Sequence, residues 1–297
     1  MISRAGCGPS TVRSSPLSAL TTLRVGGPAD VLCRPESVDD VRAALAAARA
    51  EGAAWRVLGK GSNLVVDDAG VDGWVLDLRR MRALSIDADG AVRAGAGLST
   101  AVLLGRTRAR GLGGLECLVG YPATVGGAAR MNAGGAWGCV GDRIESVVAV
   151  GADGVVRELD AAACRFGYRT SALRDHVVVE VRLRLPRVDA DAYRAAVEEI
   201  HARKAAAQPL DRPSAGCMFK NPAEGPSAGR LVDTCGLKGR ARGGAQVSER
   251  HGNFIVTRAG ATASDVLGLV DVVRDEVARV HGVELELEVE VWRRRDR

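Results

Sequence analysis

Residues 111–141 form a long glycine-rich segment, GLGGLECLVGYPATVGGAARMNAGGAWGCVG, which limits the possible folds of this chain more than any other stretch. So much glycine disfavours both a stable helix and a regular strand. A loop of this length inside a compact domain is usually either functional or disordered. Disorder is disfavoured here because apolar residues occur throughout and charged residues are few. The sequence therefore predicts ordered backbone lying close to a ligand.

The composition is that of a globular protein with about two domains. The chain has 297 residues, of which 46% are hydrophobic and 26% charged. Apolar runs end well before about 18 residues, so we expect no membrane span. Aromatic residues make up only 3%, too few to stack on single-stranded nucleic acid, and we expect no nucleic-acid partner. Residues 1–17 are interpreted as a mobile leader and not as a secretion signal.

The seven cysteines are scattered, and no pair forms a C-x-x-C motif. This arrangement disfavours a disulfide framework or a zinc site and favours a reducing cytoplasm. We therefore expect a cytoplasmic protein without a bound metal, in which most cysteines are inert core residues. One of them, Cys217 in SAGCMFKNP, could be a packed thiol, a metal ligand or an acid that gives up its proton in a reaction.

Periodic patterns divide the chain near residues 186–190. Before this boundary, Ser37 begins an amphipathic helix that stops at Gly52, and short strands follow. After it come a long helix, a capped helix from Ser264 to about His281, and a final strand VELELEVEVW. Because side chains alternate along a strand, the glutamates of this final strand are expected on one face.

The stretch LGKGSNLVV, residues 58–66, is a candidate phosphate-binding loop between two strands. Its small residues let backbone N–H groups converge, and Ser62 and Asn63 add side-chain donors. It is not a Walker A loop, because Ala54 occupies the position of the first Gly of that motif and Gly61 occupies the position that requires Ser or Thr. GLGGLE and GAGLST both fail the G-x-G-x-x-G pattern. Alone, the loop fits a plain turn equally well, but residues 120–130 supply a second glycine-rich loop and favour a two-loop clamp on one pyrophosphate.

The ordered set of motifs carries more information than any one of them. They are LRVGGPADV, VLGKGSNLVV, AGAGL, GLGGLECLVGYPATVGGAARMNAG, YRTS, GCMFKNP, AGRLVD, GLKG, GGAQVSERHGNFIV, ATASDV and LELEV. In this order, over residues 18–292, the chain resembles the UDP-N-acetylenolpyruvoylglucosamine reductase family, in its shorter form.

The resemblance implies an α+β fold. A two-lobed FAD-binding domain of the vanillyl-alcohol-oxidase/PCMH flavoprotein type would span residues 18–187, with lobes at about 18–80 and 81–187. FAD would lie between these lobes, bound non-covalently, and an α+β substrate-binding domain would follow at 188–297. NADPH would donate hydride, and UDP-N-acetylglucosamine enolpyruvate would be reduced to UDP-N-acetylmuramate in peptidoglycan precursor synthesis. We expect a monomer.

Three residues match the family's catalytic positions. Arg169, in the YR-x-S motif, would stabilise the substrate carboxylate and the developing enolate, since Arg presents fixed donors to both carboxylate oxygens. Glu288, in LELEV, would assist it, which requires burial to raise its pKa. Cys217 stands where the family usually has a serine that donates a proton to the substrate carbon. A thiol is the stronger acid of the two, so the resemblance favours the proton-donor interpretation of Cys217 over packing.

The remaining site residues are assigned by the same matches. The expected FAD-binding residues are Gly59, Lys60, Gly61, Ser62, Asn63, Leu64, Gly120, Tyr121, Pro122, Ala123, Thr124, Gly126, Gly127 and Asn132. The expected substrate-binding residues are Tyr121, Lys220, Asn221, Gln246 and His251, although a lone histidine is more often structural. The chain departs from the family at Ala123, at Trp137 and at Ala241, which is flanked by Arg240 and Arg242.

Two other functions remain open. One is a different FAD-dependent oxidase or dehydrogenase of the same fold, in which flavin is often tethered covalently through His or Cys. The only histidine before residue 186 is His176, far along the sequence from either glycine-rich loop, which disfavours a tether through His. The more remote alternative is a non-catalytic basic nucleotide-binding protein, which would be colourless.

Overall fold

The computed structural model describes residues 10–294. The helices are α1 (Val38–Ala50), α2 (Thr100–Arg108), α3 (Val125–Arg130), α4 (Ala161–Cys164), α5 (Ala190–Ala207), α6 (Ala228–Thr234) and α7 (Ala263–His281). The strands are β1 (Ser10–Pro16), β2 (Pro28–Arg34), β3 (Trp55–Leu58), β4 (Leu64–Val66), β5 (Val71–Asp77), β6 (Leu84–Ile86), β7 (Ala91–Gly95), β8 (Gly134–Gly135), β9 (Gly138–Cys139), β10 (Ile144–Gly151), β11 (Val156–Asp160), β12 (His176–Arg184), β13 (Ser214–Cys217), β14 (Ala241–Arg242), β15 (Ala245–Val247), β16 (Phe254–Thr257) and β17 (Glu290–Trp292).

The chain divides into two compact units, and each is built from separate stretches of sequence. Of the described residues, the first unit holds 10–13, Val31–Lys60 and Gly73–His201, and the second holds Ser14–Asp30, Gly61–Asp72 and 202–294. This differs from the predicted boundary near residues 186–190, since the division falls inside α5. Local patterns could not reveal it, because β4 enters the second unit by pairing with β17, which lies far away in sequence.

The first unit contains a five-stranded antiparallel sheet in the order β11-β10-β12-β7-β6. A four-stranded sheet has the order β1-β2-β5-β3, with β3 and β5 parallel, and the unit boundaries pass within β1, β2 and β5. Helix α1 forms as predicted, because Ser37 and Asp40 make a reciprocal capping box at its start. The buried face of α1, including Val41 and Leu45, belongs to one continuous apolar core that also contains residues of the sheets.

The second unit has its own apolar core and a four-stranded antiparallel sheet in the order β13-β16-β15-β14. Strands β17 and β4 form a separate parallel pair in which Glu290 lies opposite Leu64. Helix α7 packs its apolar face, including Val266 and Leu269, into this core. The helix begins slightly earlier than the predicted Ser264, because Thr262 caps it.

Part of the predicted mobile leader is ordered. Residues Ser10–Pro16 form β1, an edge strand beside β2, and Leu17 is fully buried. β-branched Thr11 and Val12 suit a strand, which explains why the polar composition of this stretch was misleading. The rest of the predicted leader, residues 1–9, lies outside the described residues, as does Cys7.

Two further predictions need correction. The glycine-rich segment contains a short helix, α3, whose start is capped by Thr124. Its Gly126 allows close packing, since a Cβ there would lie 2.7 Å from the Cβ of Ala96. The predicted final strand is regular only over Glu290–Trp292, with an isolated bridge between Phe219 and Leu287 before it. Within residues 10–294, no helix is both long and apolar enough to cross a lipid bilayer.

Asp68 fastens the segment Gly61–Asp72 to the start of α7 within the second unit. Its carboxylate accepts hydrogen bonds from Ala263 N at 2.7 Å, Ser264 N at 2.9 Å and Ser264 Oγ at 2.7 Å. Burial alone would raise the pKa of this carboxyl, but the hydrogen bonds from Ser264 and Ala263 outweigh it and lower the pKa. Asp68 therefore satisfies N–H groups that a helix start leaves without intrahelical partners.

Asp68→Ala should lower the free energy of unfolding at neutral pH by about 1 kcal/mol, the usual scale for a helix cap. The folded-state pKa is lowered, so this contribution is present above the ordinary value of 3.8 and disappears as the pH falls through the folded-state pKa. Urea unfolding of wild type and variant measures the difference as the pH is lowered from about 7 toward 3. A difference that stays constant over this range would contradict the assigned role.

Candidate active site

The two predicted phosphate-binding loops meet in the first unit at Gly59 and Thr124. A Cβ at Gly59 would lie 2.4 Å from Thr124 Oγ1, closer than any real contact allows. Thr124 Oγ1 cannot move away freely, because it accepts the Gly127 N–H at 3.3 Å and so caps α3. The loops approach this closely only because position 59 has no side chain.

The second loop presents an exposed strip of small residues. Gly120, Pro122 and Gly127 are exposed, whereas Tyr121 and Ala123 are half-buried. Backbone N–H groups can bind a pyrophosphate only where no side chain keeps it away, and a Cβ at Gly59 would fill the place where the loops meet. The residues present therefore fit the pyrophosphate of FAD.

The first loop runs from one unit into the other. Lys60, exposed, ends a stretch of the first unit, and Gly61 begins a stretch of the second. Gly61 has a positive φ of +62°, and a Cβ there would lie 2.5 Å from Leu20 O. Ser62 is half-buried. Glycine is therefore required at position 61 by conformation and by space.

Asn63 serves the second unit as well as the predicted loop. Its Nδ2 donates to Glu288 O at 3.0 Å, and its own carbonyl accepts from Glu290 N at 3.0 Å. Leu64 follows as the first residue of β4. The side-chain amide that was predicted to contact the cofactor thus also holds the backbone of a predicted catalytic residue.

Arg169 lies in the first unit on the loop that precedes β12. Its Nη1 donates to Gly134 O at 2.7 Å, and its guanidinium carbon lies 5.5 Å from the centre of the Tyr168 ring. The Tyr121 hydroxyl donates to the same carbonyl of Gly134 at 2.9 Å. The structure therefore brings two predicted site residues, Arg169 and Tyr121, to one backbone oxygen.

Asn132, predicted to bind FAD, is buried and hydrogen-bonded within the protein. Its Nδ2 donates to Gly167 O at 3.0 Å, and its Oδ1 accepts from Gly141 N at 3.0 Å. Its backbone is left-handed, with φ of +43°. Both ends of its amide therefore hold neighbouring backbone in place.

Cys217 ends strand β13 of the second unit and is half-buried. It pairs with Phe254 of β16. Ser214 of the same strand pairs with Val256, and the register shifts between these two pairs. Gly216 sits in this irregularity with a φ of +78°. A glycine bulge of this kind changes the direction in which the next side chain points, which separates Cys217 from the regular alternation of the strand.

Asn253 is a residue that the sequence analysis missed. It is 3% exposed; its Oδ1 accepts from Phe219 N at 2.9 Å and its Nδ2 donates to Phe219 O at 2.8 Å. Its carbonyl accepts from Met218 N at 2.8 Å. Asn253 thereby fixes the backbone that follows Cys217. The available signal was an amide immediately before the apolar strand FIVT, in GNFIVT.

Glu288 lies beside the same backbone. Its N–H donates to Met218 O at 2.8 Å, and its side chain is half-buried. Glu284 and Glu286, two of the glutamates expected on the same face, are exposed. Among the predicted catalytic residues, Cys217 and Glu288 therefore lie on adjoining segments of the second unit.

Lys220 and Asn221 have partners in the same unit. The Lys220 ammonium forms an ion pair with Glu286, and Lys220 N donates to Glu286 O at 2.8 Å. Asn221 is exposed, and its Oδ1 accepts from Ala228 N at 3.1 Å at the start of α6. The bond from Ala228 uses Asn221 Oδ1 and not the amide N–H groups of Asn221. The predicted contact between this amide and the substrate therefore remains compatible with the structure.

Gln246 and His251 are held by hydrogen bonds within the second unit. Gln246 Nε2 donates to Gly239 O at 3.1 Å. His251 Nδ1 accepts from Asn253 N at 3.2 Å, and its ring packs edge-to-face on Phe254. Burial, and then the nearby Lys238 charge, lower the pKa of His251. A neutral histidine in this setting matches the structural alternative.

The positions at or beside which this chain departs from the family pattern differ in their hydrogen bonds and in their place in the fold. Trp137 lies at the tip of the β8–β9 hairpin and is 36% exposed. Arg240 and Arg242 are both exposed, and Arg242 Nη1 donates to Gly268 O of α7 at 3.2 Å. Of the two arginines that flank Ala241, Arg240 is therefore the better placed to meet a ligand.

Of the six cysteines among the described residues, three are buried and three are half-buried, so the expected core position holds for half of them. Burial, with a smaller contribution from Asp40, raises the pKa of Cys33 to about 12. Burial, together with Asp160, raises the pKa of Cys164 to about 11. Such thiols stay protonated and are poor nucleophiles. In the part of the chain that the structure describes, no group of His, Cys, Asp or Glu has the arrangement of a metal site.

Two protein families match this chain. Residues 29–160 match the family described as FAD binding domain. Residues 208–292 match the family described as UDP-N-acetylenolpyruvoylglucosamine reductase, C-terminal domain. The two matches cover separate regions, in the order that the motifs predicted.

Similar proteins cover nearly the whole chain. The UDP-N-acetylenolpyruvoylglucosamine reductase of Moorella thermoacetica is 46% identical over 280 residues, which are 94% of this chain and 92% of that protein. The protein of the same name from Desulfosudis oleivorans is 44% identical over 289 residues, covering 93% and 92%. The crystal structure of UDP-N-acetylenolpyruvylglucosamine reductase from Thermus caldophilus has a TM-score of 0.82 at 40% identity, covering 96% of this chain and 98% of that one.

A chitooligosaccharide oxidase structure is similar at a lower level. It is 18% identical, has a TM-score of 0.50, and covers 60% of this chain and 41% of that one, so the similarity concerns the fold alone. Together with the closer matches, it confirms the predicted α+β fold with a flavoprotein-type FAD-binding domain.

Gly59→Ala should reduce the flavin content of the purified protein several-fold. The new Cβ would either break the hydrogen bond by which Thr124 caps α3 or push the two loops apart. The ratio of visible to ultraviolet absorbance measures flavin per protein. Gly105→Ala is the matched control, since Gly105 is exposed on α2 and a Cβ there would have no neighbour within 4 Å. Full flavin content in Gly59→Ala would show that the approach of the two loops is not needed to bind FAD.

Proposed function

Because this chain belongs to the UDP-N-acetylenolpyruvoylglucosamine reductase family, we propose that it reduces UDP-N-acetylglucosamine enolpyruvate to UDP-N-acetylmuramate with NADPH as hydride donor. The observation that carries the proposal is the 46% identity to a protein of that name over 94% of this chain. The placement of Arg169, Cys217 and Glu288 in ordered, hydrogen-bonded surroundings supports it.

FAD fits the glycine-rich loops of the first unit. Gly59, Lys60 and Thr124 would hold its pyrophosphate, mainly through backbone N–H groups. Gly126 and Gly127 would leave room for it by having no side chain, since their own N–H groups donate to Ala96 O and to Thr124 Oγ1. When bound, FAD supplies the capacity to accept hydride from NADPH and to pass it to the substrate. The binding is non-covalent in this proposal, which the absence of a histidine near either loop in sequence supports.

Arg169 is proposed to bind the substrate carboxylate. Hydride adds to the terminal methylene carbon of the enolpyruvyl group, and the electron pair of the double bond moves toward the carboxylate. A guanidinium stabilises this charge with directed donors that act most strongly in the transition state. The hydrogen bond to Gly134 O fixes one Nη1 and with it the plane of the guanidinium.

Cys217 is proposed to give its proton to the carbon next to the carboxylate. The S–H bond breaks and the electron pair of the enolate forms the new C–H bond. The carboxylate keeps its single negative charge, and the sulfur is left as a thiolate. Glu288, protonated or sharing a proton, assists Arg169 at the enolate. Glu288 N bonds to Met218 O, next to Cys217 in sequence, so a shared backbone frame supports both assignments.

The substrate contacts are proposed at Tyr121, Lys220, Asn221, Gln246 and His251. Lys220 already has a partner in Glu286, which is exposed. A surface ion pair contributes only about 0–1 kcal/mol, so a phosphate could replace Glu286 at little cost. Gln246 and His251 would act mainly by keeping the local backbone in place, which their hydrogen bonds support.

We also propose that the enzyme works as a cytoplasmic monomer. Scattered cysteines support a reducing compartment, and the raised pKa values of Cys33 and Cys164, caused mainly by burial, support their being kept as thiols. The alternative of another flavin oxidase receives no support beyond the shared fold.

The purified protein should be yellow, and acid precipitation should release the colour into the supernatant because FAD is held by non-covalent contacts alone. Visible absorbance of supernatant and pellet measures this. Colour that stays with the pellet would favour a covalently tethered flavoprotein of the same fold, and a colourless protein would favour a nucleotide-binding protein without catalysis.

Cys217→Ser should keep useful activity, because a hydroxyl occupies similar space and can donate a proton, whereas Cys217→Ala should abolish reduction of the substrate. NADPH should still bleach the flavin in both variants. Single-turnover reoxidation of the reduced flavin by the UDP-sugar separates the two steps. Cys235→Ala is the control, a half-buried cysteine of the same unit outside the proposed site. Reoxidation at wild-type speed in Cys217→Ala would mean that Cys217 only packs.

A further inference from the structure

Two segments of the first unit, residues 130–134 and 165–171, are joined by three side-chain hydrogen bonds, which we call the clasp. The bonds of the clasp are Asn132 Nδ2 to Gly167 O at 3.0 Å, Ser171 Oγ to Arg130 O at 2.7 Å, and Arg169 Nη1 to Gly134 O at 2.7 Å. The second segment carries Arg169, so the clasp determines where this arginine can be.

The two clasp residues other than Arg169 are buried. Asn132 is 7% exposed and Ser171 is 6% exposed. Asn132 also accepts the Gly141 N–H, so each end of its amide has a partner. Hydrogen bonds in such surroundings are costly to break, because the groups left behind cannot turn to water.

Backbone strain is concentrated in the same two segments. Among the described residues, five that are not glycine have a positive φ, and three of them lie here: Asn132 at +43°, Arg165 at +45° and Arg169 at +54°. A left-handed conformation of a residue with a Cβ persists only where surrounding contacts hold it. The clasp supplies such contacts on both sides of Arg169, at Gly167 and at Ser171.

We propose that Asn132 is a positioning residue for Arg169, acting through the Gly167 carbonyl, with Ser171 holding the other end of the loop. This differs from the FAD-binding role that the sequence analysis gave Asn132. The inference rests on the proposed function, because it concerns how Arg169 meets the substrate carboxylate.

The physical reason is the short path from Gly167 to Arg169. Loss of the Asn132 bond leaves the Gly167 carbonyl with the bond from Thr170 N at 3.4 Å, which lies within the same loop. The strained backbone at Arg169 can then relax toward an ordinary conformation. A guanidinium displaced by as little as about 1 Å stabilises the transition state much less well, and such displacement can cost up to about a hundredfold in rate. The charge of Arg169 is unchanged, so substrate binding is affected less than the reaction.

The primary variant is Asn132→Asp. Asp has nearly the same shape, accepts the Gly141 N–H and tolerates a left-handed backbone, but it cannot donate to Gly167 O. Ser171→Ala removes the other tie and tests the proposal independently should Asn132→Asp fold poorly. Thr170→Ala is the control on the same loop, at the unspecified position of YR-x-S, where the side chain is exposed.

Both clasp variants should slow single-turnover reoxidation of reduced flavin by UDP-N-acetylglucosamine enolpyruvate by about ten- to a hundredfold. Flavin content and the rate of flavin reduction by NADPH should stay at wild-type values, and Thr170→Ala should match wild type throughout. If Asn132 contacts FAD instead, flavin content or the flavin spectrum should change and both steps should slow. If its role is only structural, thermal stability should fall and the two steps should lose rate equally.

A double-mutant comparison makes the test specific for Arg169. Arg169→Lys keeps the charge but loses the directed donors, and it should slow reoxidation by about a hundredfold on its own. Adding Asn132→Asp to Arg169→Lys should then cost less than about threefold, since the arginine that Asn132 positions is gone. Full additivity of the two effects would overturn the proposal.

The proposed function and this inference fail in different ways. If the wild-type protein does not reduce the UDP-sugar at all, the proposed function is wrong. If wild type reduces it and neither clasp variant slows reoxidation, the proposed function stands and the positioning role of Asn132 is wrong.

Discussion

The carbonyl oxygen of Gly134 receives two hydrogen bonds, from Arg169 Nη1 at 2.7 Å and from the Tyr121 hydroxyl at 2.9 Å. Its position depends on a residue without a side chain. A Cβ at Gly134 would lie 2.4 Å from Gly138 O and 2.7 Å from Cys139 Sγ, so any other residue would prevent the β8–β9 hairpin from closing. The glycine-rich segment thus gives more than freedom of conformation. It places a backbone acceptor where a guanidinium and a phenol can share it.

The second unit solves a similar problem with amides. A bulge at Gly216 turns Cys217 out of strand register, and the buried Asn253 fixes the backbone just beyond it. Asn63 holds the backbone of Glu288 from a different stretch of the chain. Directed hydrogen bonds to main-chain groups keep the proposed proton donor and its neighbour in defined positions, which an apolar contact could not do.

Features that depend on neighbouring residues could be predicted from the sequence. The helix after Ser37 and the helix that ends at His281 follow from caps and periodicity. Features that depend on distant partners could not. The pairing of β4 with β17 and the second role of Asn63 join residues more than half the chain apart, and no local pattern encodes such a partner. The role of Asn132 could not be predicted for the same reason. An amide residue next to a ligand-binding loop gives the same sequence pattern whether its side chain contacts the ligand or the backbone.

The central claim is that reduced flavin in this protein gives its hydride to an enolpyruvyl UDP-sugar and not to oxygen. The most direct measurement is an anaerobic single turnover, in which the flavin is bleached with NADPH and UDP-N-acetylglucosamine enolpyruvate is then added. We expect the visible absorbance to return without oxygen, with one UDP-N-acetylmuramate formed per flavin. Absorbance that returns only when oxygen is admitted would contradict the account and identify a different flavoenzyme of this fold.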